Sequence, residues 1–496
     1  MVSAPLRRSA KLRAFPPASV ACAAAHAPPH SWLFGHLPEM KRDILGFFAR
    51  CERDFGAVVP LRLYTIPFFL VNDPALIQRI LVTDNATFIK PTGLKAVKPM
   101  FGEGLLTADG EHWRSQRALI QPAFHKQRID RYADVIAEST RTMLDSWEES
   151  ATRDAYSDMS ALTLDIVARA LFGVDFAAGR AAVLAAAQGI QDFFLSWRRH
   201  YLPGWLPLPE QWRLRGAVRK VDRAIYELIA ARETQRDRTT DLLSVLLDTA
   251  RADGSKMSPR AVRDELVTLF LAGHETSAVA LSWALYELAR HRTVAAKLRD
   301  ELDRALGGRA PTARDLPDLP YLDHVVKEAL RLYPSAYNLG RVAKEAYSLG
   351  EYTVAAGQNV IICPWAVQRS HRYYDEPDAF TPERWVTERA RSLPKFAYFP
   401  FSGGPRSCIG AQFALLEMKL VLATAIQRYE FDLEASANIT VDAAMTLRPT
   451  GGIPMRVGRR VALADGHGNS TPTPRSSIPT TGAIRNKRPC DPSARS

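Results

Sequence analysis

The sequence is short of the features that would place it in several large classes. Cysteine is scarce: Cys22, Cys51, Cys363, Cys408 and Cys490 are the only five in 496 residues, widely spaced and without a C-x-x-C pair. An odd, scattered set excludes a disulfide framework and a thiolate zinc site, and it suits a reducing compartment. Apolar runs are short. None reaches the roughly 18 uninterrupted residues of a membrane span, so no transmembrane anchor is expected. Internal repeats are missing. Acid is scarce at the ends: residues 1–38 hold Arg7, Arg8, Lys11 and Arg13 and no Asp or Glu, while residues 466–496 set five basic residues against Asp491. Each end therefore carries +4 of the net +12, which leaves +4 on the body. The basic balance describes the ends and not a nucleic-acid-binding face, so no nucleic-acid partner is expected.

What is present is a globular balance, 47% hydrophobic and 24% charged, with material for a large core. No linker-like stretch divides the middle. Residues 31–463 read as one large domain. Residues 1–30 read as a disordered or targeting-like leader, because Pro16 and Pro17 interrupt its weak apolar stretch. Residues 464–496 read as a disordered, basic tail rich in Ser, Thr and Pro. A cytoplasmic location is expected, with peripheral attachment to a membrane as the alternative.

Periodicity predicts a mainly α protein with minor β structure. Helices are expected over Glu111–Gln121, Arg128–Glu149, Ser160–Phe172, Lys220–Ala231, Thr240–Ala250, Arg292–Leu306, Tyr321–Leu332 and Gln412–Tyr429. The stretch Ser258–Arg290 reads as a helix far longer than usual. Ile190–Trp212 reads as helix ends around a loop, and the start, Ala27 to His36, as a stiff entry into the fold. Ala57–Val71 reads as a β-hairpin, and Ala343–Ile362 as short strands turning at Gly350 and Gly357.

The densest chemical signal is the ten-residue stretch holding Phe401, Gly404, Arg406, Cys408 and Gly410. A thiolate that ligates a metal needs a loop that presents the sulfur, keeps it dry and aims backbone N–H groups at it. Gly403, Gly404 and Gly410 permit a tight backbone and close approach to a flat cofactor. The helix that follows points its positive end at the sulfur, and Arg406 can pair with an anion. A structural cysteine in a glycine-rich turn is the blander reading, and it does not account for five positions fixed together.

This pattern, Phe-x-x-Gly-x-Arg-x-Cys-x-Gly, resembles the heme-binding loop of the cytochrome P450 family, and the resemblance extends over roughly residues 30–463. It implies a single P450-like domain with a long central helix over the heme and small sheets at one side. It implies a b-type heme with Cys408 as the axial metal ligand and Phe401 and Gly410 against the ring. Ala272, Gly273, His274, Glu275, Thr276 and Ser277, midway along the long helix, resemble the family's oxygen-activation motif. There Ala272 would face the heme, and Glu275 and Thr276 would be catalytic, holding water and delivering protons. The blander reading of Thr276 is a bond back to its own helix. His274 reads as a helix-face residue. Glu328 and Arg331, one helical turn apart, and Arg384 resemble the family's bracing ion network, which is scaffold. Trp113 and Arg117 resemble the pair that holds a heme propionate, with Arg341 and Arg406 as further propionate contacts. Core packing is the alternative for Trp113, and His112 is a weaker candidate. Gln368 and Ser370 depart from the His and Asp that relatives often carry there, which puts one contact near the heme edge in doubt. The stretch Thr446–Gly452 resembles the final β-hairpin of bacterial members.

The resemblance also implies a substrate loop at Lys90–Leu105 and a lid at Gln191–Leu208, bearing Phe193, Phe194, Trp197 and Trp205, with Arg198 and Arg199 beside them. Leu271, Ala272 and Tyr337–Leu339 would face the iron. These segments are apolar, so a small lipophilic substrate such as a terpenoid, fatty acid or carotenoid-like molecule is expected. No flavin or nicotinamide segment is recognised. Electrons from NAD(P)H are therefore expected through a ferredoxin and ferredoxin reductase or a flavoprotein reductase, docking near Cys408 by Arg114 and Lys126. A monomer is expected. The function implied is a monooxygenase inserting one atom of dioxygen. A heme-thiolate isomerase or peroxygenase, and a non-catalytic heme sensor, are the alternatives, and Glu275 with Thr276 argues against both.

Overall fold

A computed structural model describes residues 27–460 apart from 92, 95–96, 149, 196–208, 235–240 and 249–256. Most of the leader, the tail and the lid residues Trp197, Arg198, Arg199 and Trp205 lie outside the described residues, as do the side chains of Phe194 and Lys126.

The expected mainly α architecture is present. The longer helices are α1 (Leu37–Arg50), α2 (Gly110–Ile120), α3 (Lys126–Asp145), α4 (Ala155–Phe172), α5 (Ala177–Leu195), α6 (Pro209–Thr234), α7 (Leu242–Asp248), α8 (Pro259–Arg290), α9 (Arg292–Leu306), α10 (Pro320–Leu332) and α11 (Ala411–Arg428). Helix α8 organises the rest. Its start is set by Ser258, whose hydroxyl accepts from Ala261 N–H at 3.2 Å, and by Pro259 in the first turn. It packs on α4 and touches α6, α9, α10 and α11. A helix buried on every side needs apolar or paired residues all round. From Val262 to Ala289 every residue is buried except Ala272, Gly273 and Thr276.

Strands β1 (Val58–Leu63) and β2 (Ile66–Val71) form the expected hairpin. With β3 (Phe88–Ile89), β5 (Leu339–Ala343) and β8 (Asn359–Ile362) they make a five-stranded sheet in the order β1-β2-β8-β5-β3, in which β2 and β8 run parallel. Between β5 and β8 lie β6 (Tyr347–Leu349) and β7 (Tyr352–Val354). Gly350 and Gly357 sit at φ 63° and 82° in the turns, where glycine avoids the steric cost of a side chain. At the other end, β4 (Thr152–Asp154), β9 (Tyr429–Leu433) and β12 (Pro454–Arg459) form a second sheet. The β10 (Thr440–Ala443) and β11 (Leu447–Thr450) hairpin lies beside it in sequence.

Several boundaries differ from the sequence reading. Helix α4 starts at Ala155, because Asp154 accepts from Tyr156 N–H at 3.1 Å and caps it before Ser160. Helix α3 ends at Asp145, short of Glu149. Helix α6 begins at Pro209, eleven residues before the expected Lys220. Its first half is too polar to show an apolar face. Helix α1 is absent from the sequence reading, and of α5 only the end from Ile190 appears there. The first begins at Leu37 with Pro38 in its first turn, and the alanine-rich second has no strong apolar stripe to betray it.

Candidate functional site

The Cys408 loop crosses from a short turn at Gly404–Arg406 to the start of α11 at Ala411. Cys408 N–H donates to Phe401 O at 3.0 Å, which closes the loop on itself. Gly404 has φ +70°, and a Cβ there would lie 1.9 Å from Leu81 O, so only glycine fits. Cys408 shows accessible surface, yet it is packed among enough protein atoms that burial raises its thiol pKa. Gly410 N–H and the Arg117 guanidinium pull the other way and favour thiolate. Arg117 is placed for this: it donates to Ser407 O at 2.7 Å and to Gln121 Oε1 at 2.8 Å.

A cation cluster sits beside this loop. Arg406 stacks over the Trp113 ring at 4.2 Å, pairs with Asp109 and donates to Ala108 O at 3.2 Å. Arg341 is buried, donates to Gly340 O at 2.8 Å, and leaves its Nε without a partner. Burial and the neighbouring Arg406 push it down to about 10. Lys90, which the motif reading left out, belongs to the same cluster: Arg341, Arg406 and Asp109 all act on its charge. Arg406 pairs with Asp109; Arg341 and Lys90 are acted on by the same carboxylate, and Lys90 by Glu265 as well. Trp113 and Arg341 therefore both lie beside Arg406. Arg117 turns instead to the cysteine loop, and His112 is exposed, bonding Glu103 O at 3.1 Å.

On α8, Ala272 is exposed and Thr276 half-buried, a small window in an otherwise closed helix. Thr276 Oγ1 donates to Ala272 O at 2.8 Å, the local bond anticipated as its blander role. Ser335 Oγ donates to Thr276 O at 2.7 Å. Glu275 does not share partners with Thr276. Its carboxylate accepts from Tyr156 OH at 3.0 Å, Thr446 Oγ1 at 3.1 Å and Gln191 Nε2 at 3.2 Å. His274 is fully buried, its Nδ1 bonded to Phe270 O at 2.7 Å, and burial lowers its pKa.

The brace lies behind the loop. Arg331 donates to both oxygens of Glu328, at 2.9 and 2.8 Å, and Arg384 joins at 2.8 Å. Trp385 Nε1 and Thr381 N–H also donate to Glu328. Gln368 is no gap in this brace. Its amide donates to Leu330 O and Arg331 O, and its Oε1 accepts from Phe399 N–H, two residues before Phe401. Ser370 Oγ donates to the buried Glu52 at 2.7 Å.

With that geometry in place, comparison with known proteins decides the family. A family model described as Cytochrome P450 matches residues 26–454. The chain belongs to the cytochrome P450 family. It is 34% identical over 456 residues to "Cyclooctatin synthase" of Streptomyces melanosporofaciens, covering 89% of this chain and 94% of that one. It is 33% identical to "Cyclooctat-9-en-7-ol 5-monooxygenase" of the same organism, over 81% and 88% of the two chains. It is 29% identical to "Pentalenene oxygenase" of Streptomyces avermitilis, over 86% and 95%. The crystal structure of a cytochrome P450DA heme domain superposes with a TM-score of 0.78 at 26% identity, covering 88% of this chain and 98% of that one. The chain is thus a P450-type oxidoreductase, and the family implies a heme-thiolate cofactor. No described helix is long and apolar enough to cross a membrane.

The residues present fit that group. Among the described residues no cluster of three or more His, Cys, Asp or Glu could hold a metal ion. A lone thiolate suits a metal that brings its own equatorial ligands. The unsatisfied Arg341 Nε and the cation excess around Asp109 suit a ligand with carboxylates.

Proposed function

We propose that this P450 is a monooxygenase that inserts one atom of dioxygen into a lipophilic, terpenoid-class substrate. Cys408 would hold a heme by its thiolate, Phe401, Gly410 and Ala272 would lie against the ring, and Trp113, Arg341 and Arg406 would hold its propionates. Arg117 acts at the thiolate rather than at a carboxylate. The observation that carries the reading is the Cys408 loop: an accessible sulfur on a loop closed by Cys408 N–H to Phe401 O, with Arg117 bound at Ser407 O and the cations Arg341 and Arg406 alongside. A heme held by such a thiolate would supply reductive activation of dioxygen.

The chain's own groups bind, orient and manage protons. A flat ring and a small molecule beside it would meet α8 at Ala272 and Thr276, where the helix is not buried. Thr276 Oγ1 spends its proton on Ala272 O, so its lone pairs remain to accept from water at that window. Glu275 is the acid that moves protons toward Thr276. Its three donors converge on Oε1, and Oε2 accepts only from Tyr156, at 3.2 Å, which leaves acceptor capacity for proton exchange. Bacterial relatives whose names specify oxygenation of pentalenene and cyclooctat-9-en-7-ol support a cyclic hydrocarbon-like substrate. Electrons arrive from NAD(P)H through a ferredoxin and its reductase or a flavoprotein reductase. Arg114, already paired with Glu111, is a modest docking candidate.

The test is turnover of a panel of cyclic terpenes and their alcohols with a surrogate redox chain under labelled dioxygen. One labelled oxygen atom per product is expected. Turnover only with added peroxide, or isomerised product without label, would replace this reading with the peroxygenase or isomerase.

A further inference from the structure

Lys90 touches two regions that the family motifs treat separately. Its backbone N–H donates to Asp109 Oδ2 at 3.2 Å, which places it in the cation cradle. Its ammonium donates to Leu105 O at 2.6 Å and Leu106 O at 2.5 Å, two adjacent carbonyls of the loop 102–107. An ammonium has three donors, so one remains for a further acceptor.

That loop is seated with little freedom against α8. Leu105 N–H donates to Glu265 at 3.0 Å, and Glu103 N–H to Asp264 at 2.9 Å. Cβ atoms at Gly102 and Gly104 would come within 2.0 Å of Asp264 and 2.3 Å of Thr268 Oγ1. The loop thus fits one position on the helix, held from one side by Glu265 and from the other by Lys90. The groups acting on Lys90 are Arg341 and Arg406, which oppose its charge, and Asp109 and Glu265, which favour it. Burial and the two guanidiniums push Lys90 down to about 7, and burial pushes Glu265 up to about 7. Carboxylates entering the cradle would add negative charge beside Lys90 and hold it as the ammonium, whose charge strengthens its bonds to the loop carbonyls.

We propose that Lys90 is a positioning residue that couples the cradle to the distal loop, so that cofactor carboxylates and the order of residues 102–107 stabilise each other through one ammonium. The inference rests on the proposed heme site and extends it. Cofactor loading would then organise the segment that borders the substrate, and loop disorder would loosen the cofactor, since such coupling is reciprocal.

The full-length heme protein and two variants, Lys90→Met and Lys90→Arg, test it. Two readouts are needed: hydrogen exchange at Glu103 and Leu105, and the rate of heme transfer to excess apomyoglobin. Lys90→Met is expected to speed both by about tenfold, the size of one lost charge-assisted bond, and Lys90→Arg to restore most of each. Faster exchange with unchanged heme transfer, or the reverse, overturns the coupling. So does no change in either. A wild-type protein that takes up no heme would instead overturn the proposed function, which keeps the two failures apart.

Discussion

The brace around Glu328 and the cradle around Asp109 are both charge clusters next to the cysteine loop, and they are built on opposite principles. In the brace, Glu328 accepts from Arg331, Arg384, Trp385 and Thr381, and Arg331 also donates to the carbonyls of Gln368, Pro377 and Ala379. In the cradle, three cations stand around Asp109, with Glu265 acting on Lys90 as well, and Arg341 Nε has no partner. A saturated cluster stabilises the fold and has nothing left to bind with. An unsaturated one costs stability until a ligand completes it. The pairing within each cluster distinguishes scaffold from site, where motif matching treats both as family signatures.

The sharpest way to break this comparison is to remove one member of each. Glu328→Ala strands two buried guanidiniums and should cost about 3–5 kcal/mol of stability, read by denaturant unfolding of the heme-free protein. Arg341→Met should leave that stability unchanged or raised, because an unpaired buried charge is exchanged for an apolar side chain, while heme loss accelerates several-fold. If Arg341→Met destabilised the heme-free chain as much as Glu328→Ala, the distinction would collapse.

Within the α8 window the expected effects are on coupling. Thr276→Ala should retain heme and stability, yet divert oxygen use to peroxide several-fold. Equal product per oxygen consumed in variant and wild type would remove Thr276 from the proton path. Gln191→Leu and Thr446→Val free Glu275 of a donor each, and should alter the solvent isotope effect on turnover more than substrate binding.

The smallest effect concerns pH. Glu417 on α11 is fully buried, and burial pushes it up to about 8 although Ser277 nearby pulls it down. Its folded pKa lies above the ordinary 4.5. The folded state therefore holds the proton longer, and the associated stability is full below about 4.5 and is lost as pH rises through about 8. Glu417→Gln should flatten that decline in the heme-free protein. An unchanged slope would assign the pH dependence elsewhere.

How much was legible in the sequence follows the same contrast. The cysteine loop, the long helix and Glu328 with Arg331 were readable because their residues lie within a turn or two of one another. Ser258 and Pro259 marked the start of α8 by local chemistry alone. The partners of Glu275 were not readable: Tyr156, Gln191 and Thr446 lie 119, 84 and 171 residues away. Lys90 reaches across 15 residues to a loop with no periodicity. Gln368 looked like a missing contact because its type departs from relatives, yet an amide both donates and accepts and so ties α10 to the loop leading to Cys408.

The central claim is that Cys408 supplies the axial thiolate, and the carbon monoxide difference spectrum of the reduced, heme-loaded protein tests it most directly. The account predicts the band at the wavelength that gives the family its name, and its loss or displacement in Cys408→His with heme still bound. The same band in Cys408→His, or its absence from heme-loaded wild type, would contradict the account.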